Sequence, residues 1–237
     1  MRFESVSRTD VGLKRKINED SVLEAPDRGL WAVADGMGGH EAGEVASAMV
    51  VAALRDLSPD MSIDSTIDKI RSAVADTNSE LINLAVARSS EKSIGTTIVG
   101  LSISANEFRC FWAGDSRAYL LRDGEMLRLS RDHSLVQSLV DAGMLSPQEA
   151  ENHPNSNVVT RAVGVSGHVE LDVVGGEARS GDQFLLASDG LTRVVDDDEL
   201  AMQLARNPPD RAADALIDLV LRRGAPDNVS LVIVKID

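Results

Sequence analysis

Four short apolar runs follow one another almost without pause between Thr96 and Ser130. They read TTIVGLSIS, EFRCFWAG, SRAYLLR and EMLRLS, parted only by the turn signals ANE, GD and DG. Parallel neighbours need a crossover of a dozen or more residues, so strands this close together pair as antiparallel hairpins. The middle of the chain is therefore an antiparallel meander, and a doubly wound sheet is excluded there.

Helical patterns stand on either side of that block. Over residues 41–57, Val45, Ala46, Met49, Val50, Ala53, Leu54 and Leu57 recur with helical spacing. Ile63, Ile67, Ile70, Val74, Leu81 and Leu84 mark a second, longer helix, expected to lie antiparallel to the first. SLVQSLVDAG predicts a helix stopped at Gly143. SPQE at 146–149 then supplies a cap, a proline at the first helical position and a capping-box glutamate. LWAVA at 30–34 and DQFLLAS are further strands, DELAMQLA and RAADALIDLVLRR are helices, and VSLVIVKI is a closing strand. Helices early and late around antiparallel strands define a layered α/β class.

The 237 residues contain no repeats or low-complexity linkers, which predicts one domain over 1–237. A 43% hydrophobic share supplies a large core, and 3% aromatic content makes its packing mainly aliphatic. With 38 acidic against 24 basic residues and a net charge of −14, the chain repels phosphate backbones, so no nucleic-acid partner is expected. The acidic excess has a plain explanation in a solvated surface, and it would equally suit carboxylates built to hold cations. The single cysteine, Cys110 in FRCFWAG, excludes an internal disulfide, suits a reducing cytoplasm and reads as inert core. No apolar signal region opens the chain and no run approaches the ~18 residues of a membrane span. A cytoplasmic, stand-alone monomer without membrane attachment is the expectation.

Aspartates recur at the ends of the predicted strands. Asp35 follows LWAVA, Asp115 follows FWAG and Asp189 follows FLLAS, while Asp20 and Asp227 stand at strand beginnings. Any one Asp-Gly pair is ordinary turn chemistry, and Asp123-Gly124 reads as a hairpin turn of that kind. Five rim aspartates brought to one edge would repel each other and require cations. Carboxylate oxygens suit Mg²⁺ or Mn²⁺, and no Cys/His pair has zinc spacing. Gly36, lacking a side chain, lets its carbonyl approach an ion. Two such ions about 3.5–4 Å apart bridge a water, lower its pKa and clamp an in-line displacement at phosphorus. Arg15, five residues before Asp20, is either the guanidinium that holds the phosphate or a member of the solvated run KRK.

These segments together resemble the bacterial metal-dependent Ser/Thr protein phosphatases of the protein phosphatase 2C family. The resemblance runs through RKINEDS (15–21), VADGMGGHEAGEVAS (33–47), GTT (95–97), AGDSRAYLLRDG (113–124), RDHS (131–134), HPNSNVVTRAVG (153–164), GDQFLLASDGL (181–191) and DNVSLVIV (227–234). It implies two antiparallel sheets packed as a sandwich, pairs of helices on the outside, and a helical flap at about 134–161. It implies two core ions, Mn²⁺ or Mg²⁺, among Asp20, Asp35, the Gly36 carbonyl, Asp189 and Asp227, with a third, weaker ion at Asp115. Arg15 would bind phosphate, Glu19 would act through a water on a metal, and Asn228 would orient its neighbour. The implied activity is hydrolysis of phosphoserine and phosphothreonine in proteins, so the implied partners are phosphorylated proteins and a cognate Ser/Thr kinase.

The sequence also departs from the family pattern. Met37 follows the Asp-Gly pair where some members carry a histidine, leaving His40 or a metal-bound water as proton donor. Ser156 replaces a residue that is often basic, and Arg193 one that is often acidic or polar; both changes bear on peptide preference rather than chemistry. His133, His153 and His168 read as structural, and Trp31 and Trp112 as core. Three competing readings are a non-catalytic phosphoprotein-binding or regulatory relative, a phosphatase of small esters and a calcium module. The retained aspartates oppose the first, and their scatter along the chain opposes the last.

Overall fold

Strands whose side chains are buried on both faces need a layer on each side. In the computed structural model, which describes residues 1–38, 42–58, 62–88, 94–151 and 153–237, that demand produces four layers. The chain begins with β1 (Phe3–Asp10), β2 (Asp20–Ala25) and β3 (Leu30–Met37), then α1 (Ala42–Arg55) and α2 (Ile63–Ala87). The strand block follows as β4 (Gly95–Thr96), β5 (Ile98–Ser104), β6 (Glu107–Ala113), β7 (Arg117–Arg122) and β8 (Glu125–Arg128). Next come α3 (Leu135–Asp141), α4 (Pro147–Glu151), β9 (Asp172–Glu177) and β10 (Gln183–Ala187). The chain closes with α5 (Asp189–Thr192), α6 (Asp197–Arg206), α7 (Pro209–Arg222) and β11 (Val229–Ile236).

One sheet has the order β1-β11-β10-β7-β8 and the other β2-β3-β5-β6-β9, with β4 added against β3. Every strand pair is antiparallel. Alternation along each strand sorts residues between interiors. In β3, Trp31 and Val33 point between the sheets, while Leu30, Ala32 and Ala34 meet α1 and α2. In β11, Val232, Val234 and Ile236 face the inter-sheet core, and Val229, Leu231 and Ile233 face α5–α7. Each large side chain buried this way contributes roughly 1.5–3 kcal/mol.

The expected helices, strands and turns are present, with three corrections. The middle strands do not form one meander: β5–β6 belong to one sheet and β7–β8 to the other, because the chain changes layer at Gly114–Ser116. β3 does not end at Ala34 but runs through Asp35 and Gly36 to Met37, since β4 pairs Gly36 with Thr96. The edge strands β1 and β9 were not foreseen. The Asp123-Gly124 turn is confirmed, with φ of 53° and 84° between paired Arg122 and Glu125. The capping box at Ser146 also forms, its amide donating to Glu149 Oε2 at 2.8 Å and its Oγ accepting from the Glu149 amide at 3.3 Å. Gly143, with φ of 67°, follows the end of α3. No helix among the described residues is long and apolar enough to cross a membrane.

Candidate metal centre

The ends of both sheets bring the five aspartates to one place. Asp20 opens β2 and stands directly opposite Asp35 of β3. Asp189 begins α5 immediately after β10, and Asp227 precedes β11, the neighbour of β10. Asp115 lies in the turn where the chain crosses between sheets. Asp20 and Asp115 are buried, and Asp35 and Asp189 nearly so.

Local hydrogen bonds fix these positions. The Asp35 carbonyl accepts from the Thr97 amide at 2.8 Å and Thr96 Oγ1 at 2.9 Å, which gives the GTT motif its function. Thr97 Oγ1 is 2.7 Å from Ser116 Oγ and accepts from the Asp35 amide, tying the Asp115 turn to β3. Ser188 Oγ donates to Asp20 Oδ2 at 2.9 Å. Asn228 accepts the Glu19 amide at 2.9 Å and donates to the Val11 and Ile17 carbonyls, so the segment before β2 is sewn to the start of β11.

The glycines beside the aspartates serve chain crowding. A Cβ on Gly190 would stand 1.8 Å from the Asn228 carbonyl oxygen, and one on Gly36 would stand 2.1 Å from that of Gly43. The chains that carry the aspartates pass too close for any side chain.

Negative charge dominates the result. Burial first, then Asp189 and Asp227, pushes Asp20 up to about 7, against hydrogen bonds from Ser230 and Ser188 that favour its charged form. Burial first, then Asp189, pushes Asp115 to about 7, with Arg193 opposing. Asp35 lies well above the ordinary range through burial and the charges of Asp20, Asp189, Asp115 and Asp227. Asp189 is raised by burial, offset by Arg193, and is within hydrogen-bond reach of Asp35. Asp20 Oδ1 is buried with no hydrogen-bond partner among the described residues. Such an oxygen is what a bound cation would satisfy.

Two guanidinium groups stand at the rim. Arg15 Nε lies 2.8 Å from Asp227 Oδ1, with half of its side chain exposed. Arg193 Nε lies 2.8 Å from Asp189 Oδ2, and its Nη2 lies 3.2 Å from Asp115 Oδ2. Among the described residues no three carboxylate, imidazole or thiol groups are drawn together tightly enough to cage an ion as the side chains stand. Asp227 leans on Arg15, while Asp115 and Asp189 lean on Arg193. A cleft of about 990 Å³ opens beside Asp115 and Asp189, lined also by Arg117, Ser134, Ser156 and Arg193.

The sequence reading missed the work of Ser188 and Arg193. For Arg193 a signal existed: it lies four residues after Asp189, the spacing of a helical ion pair. His40 lies outside the described residues. Met37, at the end of β3, has no proton to transfer. The structural reading of His133 fits: Nδ1 accepts from the Gly114 amide at 3.1 Å, and the ring stacks on Trp112. Trp31 is fully buried, and burial drives the Cys110 thiol far above its ordinary value.

The match to known proteins agrees with this arrangement. Residues 14–229 match the family model of protein phosphatase 2C. The chain is 41% identical over 231 residues to the serine/threonine protein phosphatase PstP of Mycobacterium tuberculosis, covering 97% of this chain but 44% of that protein. Among solved structures, PppA, a regulatory component of the type VI secretion system in Pseudomonas aeruginosa, superposes with TM-score 0.93 at 42% identity, covering 99% of this chain and 98% of PppA. The catalytic domain of a phosphatase PstP, solved with two manganese ions, superposes with TM-score 0.89 at 40% identity, covering 99% of each chain. The chain belongs to the protein phosphatase 2C family.

Proposed function

We propose that this chain is a metal-dependent protein-serine/threonine phosphatase, removing phosphate from phosphoserine and phosphothreonine in proteins that a Ser/Thr kinase has modified. The observation that carries the reading is the convergence of Asp20, Asp35, Asp115, Asp189 and Asp227, from both sheets, on one end of the sandwich with their charge unbalanced. The neighbouring PstP domain with two manganese ions and the family match support it.

In this reading Asp20, Asp35, the Gly36 carbonyl, Asp189 and Asp227 would hold two Mn²⁺ or Mg²⁺ ions, with Asp227 exchanging its Arg15 partner for metal. The ions, when bound, supply the positive charge and the activated water that phosphate hydrolysis needs. Arg15 would turn outward and hold two phosphate oxygens, a role supported by its half-exposed position on the salt bridge to Asp227. Asn228 keeps Glu19 and Asp227 in register, since it bonds the Glu19 amide and its own amide donates to Asp227 Oδ1. Segment 134–161 acts as the flap bordering the cleft. A reducing cytoplasm suits the free, buried Cys110.

The test is phosphate release from phosphothreonine and phosphoserine peptides and from a small phosphate ester, in Mn²⁺ and in EDTA. Turnover of the peptides that EDTA abolishes supports the proposal. Folded, manganese-loaded protein without turnover overturns it and leaves a phosphoprotein-binding role.

A further inference from the structure

Ser156 and Arg193, the two positions expected to bear on peptide preference, touch. Arg193 Nη2 donates to the Ser156 carbonyl at 3.1 Å, and the same guanidinium binds Asp115 and Asp189. One side chain thereby joins the start of α5, the turn between the sheets and the segment carrying α3 and α4. Its site is largely enclosed: one third of the Arg193 side chain is exposed, against 18% for Asp189 and 7% for Asp115. In each aspartate the oxygen engaged is Oδ2, so an ion shared by Asp115 and Asp189 would compete with the guanidinium for those oxygens and meet its positive charge beside them.

We propose that Arg193 is a positioning residue that serves as a built-in cation between Asp115 and Asp189 and, through the Ser156 carbonyl, ties segment 134–161 to the metal end of the sandwich. This rests on the phosphatase reading of the site and revises one part of it: the Asp115 side is filled by a guanidinium rather than by a third ion. A rigid fork of donors suits the task, because a guanidinium reaches two carboxylates and a carbonyl at once, whereas an ammonium on a flexible stem is a point charge. The arrangement has a consequence for recognition. With segment 134–161 held at the Ser156 turn, the cleft between it and α5–α6 keeps a fixed width, and substrate peptides enter a preformed groove.

The test uses Arg193→Ala and Arg193→Lys in the full chain with two readouts. The first is hydrogen exchange of amides in 134–161 in metal-free protein. Both variants are expected to exchange faster there than native protein, by about tenfold or more, the loss of a charge-assisted bond. The second is Mn²⁺ stoichiometry by calorimetry. Native protein and Arg193→Lys are expected to bind two ions, whereas Arg193→Ala, with the cation gone, gains a third of weaker affinity. Unchanged exchange in Arg193→Ala, or a third ion in native protein at the affinity seen in Arg193→Ala, would overturn the proposal. Failure of native protein to bind any Mn²⁺ would instead remove the phosphatase reading, while the metal-free exchange would still report on the tie.

Discussion

Removing the charge from Asp20 should stabilise the metal-free protein, although the residue sits at the heart of the site. Its folded-state pKa of about 7, against 3.8 for the free group, means that the folded chain keeps a proton the unfolded chain has released. Folded protein then binds more protons between those values, so stability is fully present below about 3.8 and is lost as pH rises through about 7. The shift corresponds to about 4 kcal/mol opposing folding above pH 7, and burial is its largest cause. Asp20→Asn removes that charge yet keeps an oxygen to accept the Ser188 hydroxyl. In EDTA at pH 8 the variant should be more stable than native protein by about 2–4 kcal/mol, moving the urea midpoint by about 1 M or more. At pH 4.5 native Asp20 is protonated and the advantage should largely vanish. With Mn²⁺ at a hundred times its Kd the order should reverse, since each ion adds about 2.7 kcal/mol to the form that binds it. A variant less stable than native protein at pH 8 in EDTA, or an advantage unchanged between pH 4.5 and 8, would refute the reasoning.

Other variants probe the chain crossings and the phosphate pocket. Gly190→Ala places a methyl 1.8 Å from the Asn228 carbonyl and should cost about 3 kcal/mol, or roughly 6–12 °C in Tm, while Gly167→Ala, with open space around it, should behave as native. Asn228→Ala deletes the link between Glu19 and the start of β11 and should lower stability by about 2–3 kcal/mol in urea melts, in EDTA as well as in Mn²⁺. Arg15→Ala should raise KM for a phosphothreonine peptide about 10- to 100-fold with a smaller change in kcat; an unchanged KM would leave Arg15 as a salt-bridge partner of Asp227 alone.

Much of this was legible in the sequence for identifiable reasons. β3, β5, β6, β10 and β11 announce themselves because both faces are buried, giving near-continuous apolar runs. The same property hid the change of sheet at Gly114–Ser116: strands of either layer have equally apolar runs, and no residue type states which layer a hairpin joins. β1 escaped because an edge strand is held by its backbone ladder to β11, and Val6 is its one fully buried side chain. β9 escaped because Gly175 and Gly176, read alone, mean a turn, whereas here they admit the side chains of Arg109 and Phe108. The rim aspartates were visible as a recurring residue type at strand ends. The contacts of Arg193 were not, because Asp115 and Ser156 reach it only through the fold.

The gathered carboxylates must hold ions if this site is to hydrolyse phosphate esters. Anomalous diffraction at the manganese edge, from crystals grown in Mn²⁺, tests this directly. Two peaks bounded by Asp20, Asp35, Asp189 and Asp227, with none between Asp115 and Asp189 where Arg193 lies, is the predicted result. Crystals with the site well ordered, Mn²⁺ in excess and no peak among those aspartates would contradict it.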